Sequence, residues 1–300
     1  MARIVYIDCS DLMAEMLARV WPDHGAAMKV YVGDMPAADL PGWCQGAEVV
    51  WNGHTMMGAD LMDQLPDLRR IIFLGSGPSS YIDMAAAAAR GIVVDRIAGY
   101  GDRAVAEQAL ALILAGARDL TRMDRDLRRG HWDPREGKEL LSRRLGLIGF
   151  GGIAQALAGM ARALGMQVSV WNRSPLPADW ADAAAPLDAV LAQSDIVSLH
   201  LALTPDTRGF LSAERLAQMK PGAMLVNTAR AGLVDTAALI AALEAGHLGH
   251  AALDVFDTEP LPADDPLLAA PNVTLTAHAG FKTREATERL VAQAVALTLG

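Results

Sequence analysis

Leu145-Gly146-Leu147-Ile148-Gly149-Phe150-Gly151-Gly152-Ile153-Ala154 is the stretch on which the fold turns. Its apolar start reads as a buried strand, and the strand runs straight into the pattern G-x-G-x-x-A. The segment Ile153–Leu164 that follows reads as a helix with small residues, Ala154, Ala158 and Ala161, on one face. Gly149 permits a tight strand-to-helix turn, and Gly151 lets backbone come close to a pyrophosphate. The N–H groups of Gly152 and Ile153 lie at the helix N-terminus, where an anion is favoured. Ala154 is small enough for the helix to pack on the strand. Such a turn also arises for packing reasons alone, but here a second strand, Gln167–Trp171, stands where a dinucleotide fold needs it.

That second strand ends in Val170-Trp171-Asn172-Arg173-Ser174. An acidic residue at this point would bind the ribose 2′-hydroxyl of NAD. Asn172 is neutral, whereas Arg173 and Ser174 suit a 2′-phosphate through charge-assisted hydrogen bonds. The expected cofactor is therefore NADP(H) in preference to NAD(H).

Outward from the turn, the same alternation continues. Strands are expected at Arg144–Gly149, Ile196–Leu201, Ala223–Asn227, Ala251–Val255 and Val273–Thr276, and helices at Ser212–Met219, Thr236–Ala245 and Thr283–Leu299. Met1-Ala2-Arg3-Ile4-Val5-Tyr6-Ile7-Asp8 begins an earlier series, with strands at Arg3–Ile7, Val49–Asn52, Ile71–Leu74 and Ile92–Asp95 and helices at Asp11–Val20 and Asp83–Arg90. Alternating strands and helices predict parallel sheets covered on both faces. Between the series, apolar residues from Val105 to Leu127 recur at spacings of three and four. They predict one long helix from an N-cap at Asp102 to a stop at Gly130, bridging domains or lying at a subunit interface.

With 300 residues the chain exceeds what one core usually serves. The fold class is α/β: two doubly wound parallel-sheet domains, one over 1–98 and 281–300 and a dinucleotide-binding one over 99–280. A 52% hydrophobic and 20% charged composition suits a well-cored globular protein. The net charge of −9 speaks against nucleic acid. No apolar stretch is long and charge-free enough to span a bilayer, so no membrane partner is expected. Cys9 and Cys44 make no disulfide framework and no metal spacing, and the start carries no signal-peptide apolar region. The expected setting is cytoplasmic. His247 and His250 have a spacing that metal sites sometimes use, but without a third ligand they read as a solvated turn.

Three further segments occur in order behind the glycine turn: Asn227-Thr228-Ala229-Arg230-Ala231-Gly232-Leu233-Val234-Asp235, Leu253-Asp254-Val255-Phe256-Asp257-Thr258-Glu259-Pro260 and Thr276-Ala277-His278-Ala279-Gly280. With Val105-Ala106-Glu107 and His200-Leu201-Ala202-Leu203-Thr204-Pro205, they make the chain resemble the D-isomer-specific 2-hydroxyacid dehydrogenase family over nearly its whole length. The resemblance implies that the first domain is a flavodoxin-like substrate domain and the second Rossmann-like, with the active site in the cleft between them, and that the protein is a homodimer. It implies hydride transfer between the nicotinamide and a small 2-keto or 2-hydroxy acid such as glyoxylate or hydroxypyruvate. It also assigns Thr228, Ala229 and Asp254 to the cofactor, Asp254 at the nicotinamide carboxamide.

The chemistry can be argued beside the resemblance. Reducing a 2-keto acid needs a group to orient the carboxylate and polarise the carbonyl, and a proton donor for the new alkoxide. Arg230 presents a planar fork suited to a carboxylate. His278 is the expected proton donor, because histidine titrates near neutral pH. Glu259 would hold the other ring nitrogen. Leu74-Gly75-Ser76-Gly77-Pro78 resembles the loop whose N–H groups hold the substrate carboxylate, which assigns Ser76 and Gly77 to substrate; apart from that resemblance, His54, Met56 and Met57 are expected to border the same pocket. The chain departs from the family pattern at Ala202 and Ala277, each replacing a common proline, and at Tyr100-Gly101-Asp102, where many members have an asparagine. Two other readings stay open on the same fold: a dinucleotide-sensing interaction protein, and a formate- or phosphite-type dehydrogenase.

Overall fold

A computed structural model describes residues 3–300, so Met1 and Ala2 lie outside the described residues. The chain opens with β1 (Ile4–Cys9), α1 (Asp11–Val20), β2 (Met28–Val32), α2 (Leu40–Trp43) and β3 (Val49–Asn52). It continues with α3 (Ala59–Asp63), β4 (Arg70–Phe73), α4 (Met84–Ala89) and β5 (Val93–Arg96). Then come α5 (Asp102–Ala117), α6 (Leu120–Arg128), β6 (Arg144–Ile148), α7 (Gly152–Ala163), β7 (Gln167–Trp171), α8 (Leu187–Gln193) and β8 (Ile196–Leu199). The last elements are α9 (Ala213–Gln218), β9 (Met224–Asn227), α10 (Thr236–Glu244), β10 (His250–Leu253), β11 (Val273–Leu275) and α11 (Arg284–Leu299).

Two compact units result. One comprises the described residues up to Gly101 together with Lys282–Gly300, the other Asp102–Phe281. The first holds a five-stranded sheet of order β2-β1-β3-β4-β5, parallel throughout. The interior strands β1, β3 and β4 are mostly buried apolar runs, as a sheet covered on both faces requires, with polar residues only near their ends: Asp8, Asn52 and Arg70. α11 packs Leu290, Val291 and Ala294 into the cluster that contains Ile4, Tyr6, Trp51 and Ile72. The indole N–H of Trp51 donates to Thr298 Oγ1 at 2.9 Å, so the last helix is joined to the middle of the first sheet. Side-chain caps start the helices: Ser10 accepts from Met13 N, Asp83 from Ala86 N and Thr283 from Ala286 N.

The second unit holds a six-stranded parallel sheet of order β11-β10-β9-β8-β6-β7. The strand order reverses between β6 and β8, and open α/β sheets bind ligands outside the carboxyl ends of the strands at such a reversal. α5 and α7 meet through Ala106, Ala109, Ala154, Ala158 and Ala161, all buried, in one cluster. Side chains this short let the helices approach closely, and a valine at Ala158 would cost about 1–3 kcal/mol by overpacking.

The expected single helix from Asp102 to Gly130 is two helices. Asp119 takes a left-handed conformation, φ 53°, between α5 and α6. The carbonyl of Ala117 accepts from Lys138 N at 2.8 Å instead of continuing the helix. Gly116 lies against Met224 and His250, where a Cβ would come within 2.8 Å of both side chains. These contacts from distant segments end the helix, and all of α5 belongs to the second unit. Asp102 is the first helical residue of α5 and not its cap. The pattern of hydrophobicity also passed over β2, an edge strand, and α2, α3 and α8, each shorter than two turns.

Candidate functional site

β6 ends at Ile148, and Gly149 turns with φ +92°. A Cβ at Gly149 would lie 2.6 Å from the carbonyl oxygen of His200, just past β8, so sterics as well as φ demand glycine here. Gly151 caps α7 in an extended conformation with nothing within 4 Å of where its Cβ would be, an open approach to the helix N-terminus. Gly152 and Ile153 are its first two residues. Nearby residues brace the turn. Asn172 Oδ1 accepts from Phe150 N at 3.2 Å, while Asn172 Nδ2 donates to the Ser174 carbonyl at 2.9 Å. The Phe150 ring meets Trp180 edge-on at 5.4 Å, and the Arg162 guanidinium stacks 3.8 Å from the Trp180 ring centroid. Arg173 and Ser174 are exposed.

This cradle fits a nicotinamide dinucleotide. The helix N-terminus is open at Gly151, and Thr228 Oγ1, at the end of β9, is buried with no partner among the described residues. A buried hydroxyl of this kind costs free energy unless something meets it. His200 is a neutral structural residue: burial pushes its pKa down to about 4, and Nε2 lies 2.9 Å from Ser198 Oγ.

Arg230, Glu259 and His278 hang from the carboxyl ends of the three adjacent strands β9, β10 and β11. Asn227 fixes the loop of Arg230: its Oδ1 accepts from Ala229 N at 3.0 Å and its Nδ2 donates to the Arg230 carbonyl at 2.9 Å. Arg230 Nη1 donates to the Ala229 carbonyl at 2.6 Å, leaving most of the guanidinium fork uncommitted to that bond. His278 Nδ1 lies 2.6 Å from Glu259 Oε2, each side chain 32% exposed. The other Glu259 oxygen accepts from Phe256 N at 2.9 Å. His278 itself has φ +49°, a strained backbone for a residue with a Cβ.

What holds that strain is Asp254, 1% exposed at the end of β10. Its Oδ1 accepts from Thr276 Oγ1 at 2.5 Å and Ala279 N at 3.0 Å, and its Oδ2 accepts from Gly280 N at 2.9 Å. Gln108 Nε2 on α5 donates to Thr276 Oγ1 at 3.1 Å. Asp254 therefore clamps both sides of His278, with room for one further donor on its carboxylate. Sequence reasoning placed Asp254 on the cofactor and did not find Gln108 or Thr276. Their contacts span 22 to 168 positions and leave no local signature.

Ser76 and Gly77 lie in the first unit, in the loop after β4, Ser76 exposed. Gly75 makes the bend, since a Cβ there would come within 2.8 Å of the Phe73 ring. In the same unit Asp8, at φ 60°, accepts from the N–H groups of Gly53, His54 and Thr55 at 2.9 Å each, and from Thr55 Oγ1 at 2.7 Å. That anchors the His54 loop, whose ring reaches Asp34 at 2.7 Å. Met56 is exposed, but Met57 is fully buried in the core of the first unit. His247 and His250 do not form a solvated turn. His250 is buried on β10 with Nε2 3.0 Å from Thr274 Oγ1, and His247 Nε2 lies 3.2 Å from the Leu216 carbonyl. Among the described residues no group of three or more His, Cys, Asp or Glu is arranged to hold a metal ion, and no helix is long and apolar enough to cross a membrane.

Residues 110–280 match the family described as D-isomer specific 2-hydroxyacid dehydrogenase, NAD binding domain. A glycerate dehydrogenase of Methylorubrum extorquens is 34% identical over 98% of this chain and 94% of its own. A hydroxypyruvate reductase of Thermotoga maritima is 38% identical over 81% of this chain and 80% of its own. Among solved structures, the TT0316 protein of Thermus thermophilus superposes with a TM-score of 0.87 at 37% identity, covering 98% of this chain and 94% of that one.

Proposed function

The chain belongs to the D-isomer-specific 2-hydroxyacid dehydrogenase family and is an oxidoreductase that moves a hydride between a nicotinamide dinucleotide and a small 2-keto or 2-hydroxy acid; from that premise we propose that Arg230, Glu259 and His278 carry the reaction. The Gly149–Ile153 turn with Thr228, Ala229 and Asp254 would hold the dinucleotide, which would supply the hydride. Arg230 grips the substrate carboxylate and polarises the adjacent carbonyl with its fork. His278 gives the Nε2 proton to the carbonyl oxygen as the hydride reaches carbon, and takes it back in the oxidative direction. Glu259 accepts from Nδ1, which fixes the ring and leaves Nε2 for the substrate oxygen. Ser76 and Gly77 are assigned to the substrate carboxylate within the same proposal. The observation that carries the reading is the 2.6 Å His278–Glu259 pair on the sheet that also bears the glycine turn.

The test is oxidation of NADPH and NADH against glyoxylate, hydroxypyruvate, pyruvate and longer 2-keto acids. Turnover with hydroxypyruvate or glyoxylate is expected. Dinucleotide binding with no turnover on any acid would sink the reading in favour of a sensor, and activity confined to formate or phosphite would replace the substrate class.

NADP(H) is the preferred cofactor in this proposal. Both ends of the Asn172 amide are engaged by the turn and by Ser174, which leaves Arg173 and Ser174 exposed for a 2′-phosphate. Arg173→Ala should raise KM for NADPH by about 10-fold or more, the size of one lost charge-assisted hydrogen bond, with KM for NADH nearly unchanged. Equal effects on the two cofactors would refute the preference.

We propose a homodimer as well. Leu120 and Leu127 on α6 and Trp132 just beyond it are 49%, 54% and 85% exposed, apolar area of the kind a second copy covers. Sedimentation equilibrium should return twice the chain mass of 31.8 kDa; a single-chain mass would rule the dimer out. The proposed setting is the cytoplasm, where Cys9 and Cys44 remain thiols. Burial pushes them up to about 12 and about 11, which makes both unreactive. Cell fractionation checks the location.

A further inference from the structure

Gly152 opens α7 without a side chain, and the space its Cβ would take is already filled. Asp102 Oδ2 would lie 1.8 Å from that Cβ and the Asp102 carboxyl carbon 2.8 Å from it. Asp102 is the first residue of α5 and of the second unit, so both partners belong to one unit. The neighbouring cation does not neutralise it: Arg103 is committed to Glu107 at 2.5 Å. A carboxylate therefore rests against the first residue of a 12-residue helix, whose N-terminus favours negative charge.

The same helix end must receive the pyrophosphate of the dinucleotide, so two anionic groups are drawn to one place. We propose that Asp102 is a charge gate on the dinucleotide site. In the free protein its carboxylate complements the N-terminus of α7. On binding it meets the pyrophosphate as a like charge, which weakens affinity and speeds release. Release of the dinucleotide limits turnover in many enzymes, and a group that opposes tight binding shortens that step. Glycine at 152 is what makes the gate possible, because any side chain there would displace the carboxylate. The inference rests on the Gly149–Ala154 turn being the dinucleotide site.

The experiment measures Kd for NADPH and NADH by nicotinamide fluorescence, comparing wild type with Asp102→Asn. At low salt the variant should bind both dinucleotides about three- to tenfold more tightly, the scale of a screened like-charge contact at a few ångströms. The gain should fade near 1 M salt, where the screening length drops to about 3 Å. In stopped-flow displacement, dissociation from the variant should be slower by a similar factor. Adenosine, which has no pyrophosphate, should bind both proteins equally.

Unchanged or weaker dinucleotide binding by Asp102→Asn would overturn the gate, and so would a gain that salt does not touch. If the wild type bound neither dinucleotide, the assignment of the turn would fail and the gate with it. A second pair of variants tests the placement without any cofactor. Gly152→Ala should lower Tm, because its methyl group enters the space of the carboxylate, and adding Asp102→Ala should restore most of that loss. A Gly152→Ala protein as stable as wild type would show that the carboxylate does not lie there, and would overturn the proposal equally.

Discussion

Replacing His278 by alanine is expected to lower kcat by at least about 100-fold, the lower end of what a positioned general acid contributes. The ring is held from one side only: Nδ1 faces Glu259 at 2.6 Å, so Nε2 is the nitrogen left for the substrate oxygen. The backbone complicates the alanine variant. His278 sits at φ +49°, a region that costs most residues with a Cβ but that asparagine adopts more readily. Asparagine is therefore the better control, because it keeps the loop and lacks the titratable ring. Both variants should bind the dinucleotide with wild-type Kd while losing turnover. Glu259→Gln should fall between them and wild type, because a neutral amide still holds the ring through Nδ1 but loses the charge-assisted hydrogen bond. Unchanged kcat in the asparagine variant would remove His278 from the mechanism.

The second large effect is at Arg230. Removing one side of a charged, hydrogen-bonded pair costs about 2–5 kcal/mol, or some 30- to several-thousand-fold in kcat/KM. Arg230→Ala should show this, with KM for the keto acid raised and Kd for the dinucleotide little changed. Arg230→Lys should recover only part, since an ammonium restores the charge but not the fork that meets two carboxylate oxygens. The loop itself should survive, because Asn227 holds it through backbone groups at Ala229 and Arg230 that neither variant alters. Steady-state kinetics separates the possibilities: a loss confined to kcat, with KM unmoved, would mean that Arg230 does not grip the carboxylate.

Much of this architecture is legible in the sequence because its signals are local. The glycine turn, the helix behind it and β7 follow one another within 30 residues, and each has its own periodicity. Arg230, Glu259 and His278 could be singled out because each lies a few residues past an apolar strand. The break at Asp119 could not, because the spacing of apolar residues runs on unbroken from α5 into α6. It is imposed by Met224, His250 and Lys138, which reach α5 only in the folded chain. The burial of His250 leaves no local signal for the same reason. Flanking glycines made its surroundings look like a turn, while strand pairing buries it. The clamp of Asp254, Thr276 and Gln108 around His278 joins three elements distant in sequence, and only the sheet order brings them together.

The return of α11 to the first sheet has a bearing on how the protein is made. The ribosome releases β1 to β5 before the second unit, yet the helix that packs on Ile4, Tyr6, Trp51 and Ile72 emerges only after it. About 180 residues of the second unit intervene, roughly 10–40 s of synthesis at 5–20 residues per second. During that interval one face of the first sheet has α1 but lacks α11, while the second unit, contiguous in sequence, can complete its own core. Nascent chains arrested before Lys282 should thus show a protease-resistant fragment from the second unit and a first unit that is cleaved. The unit whose strands are made before the second unit is in this sense the later of the two to mature.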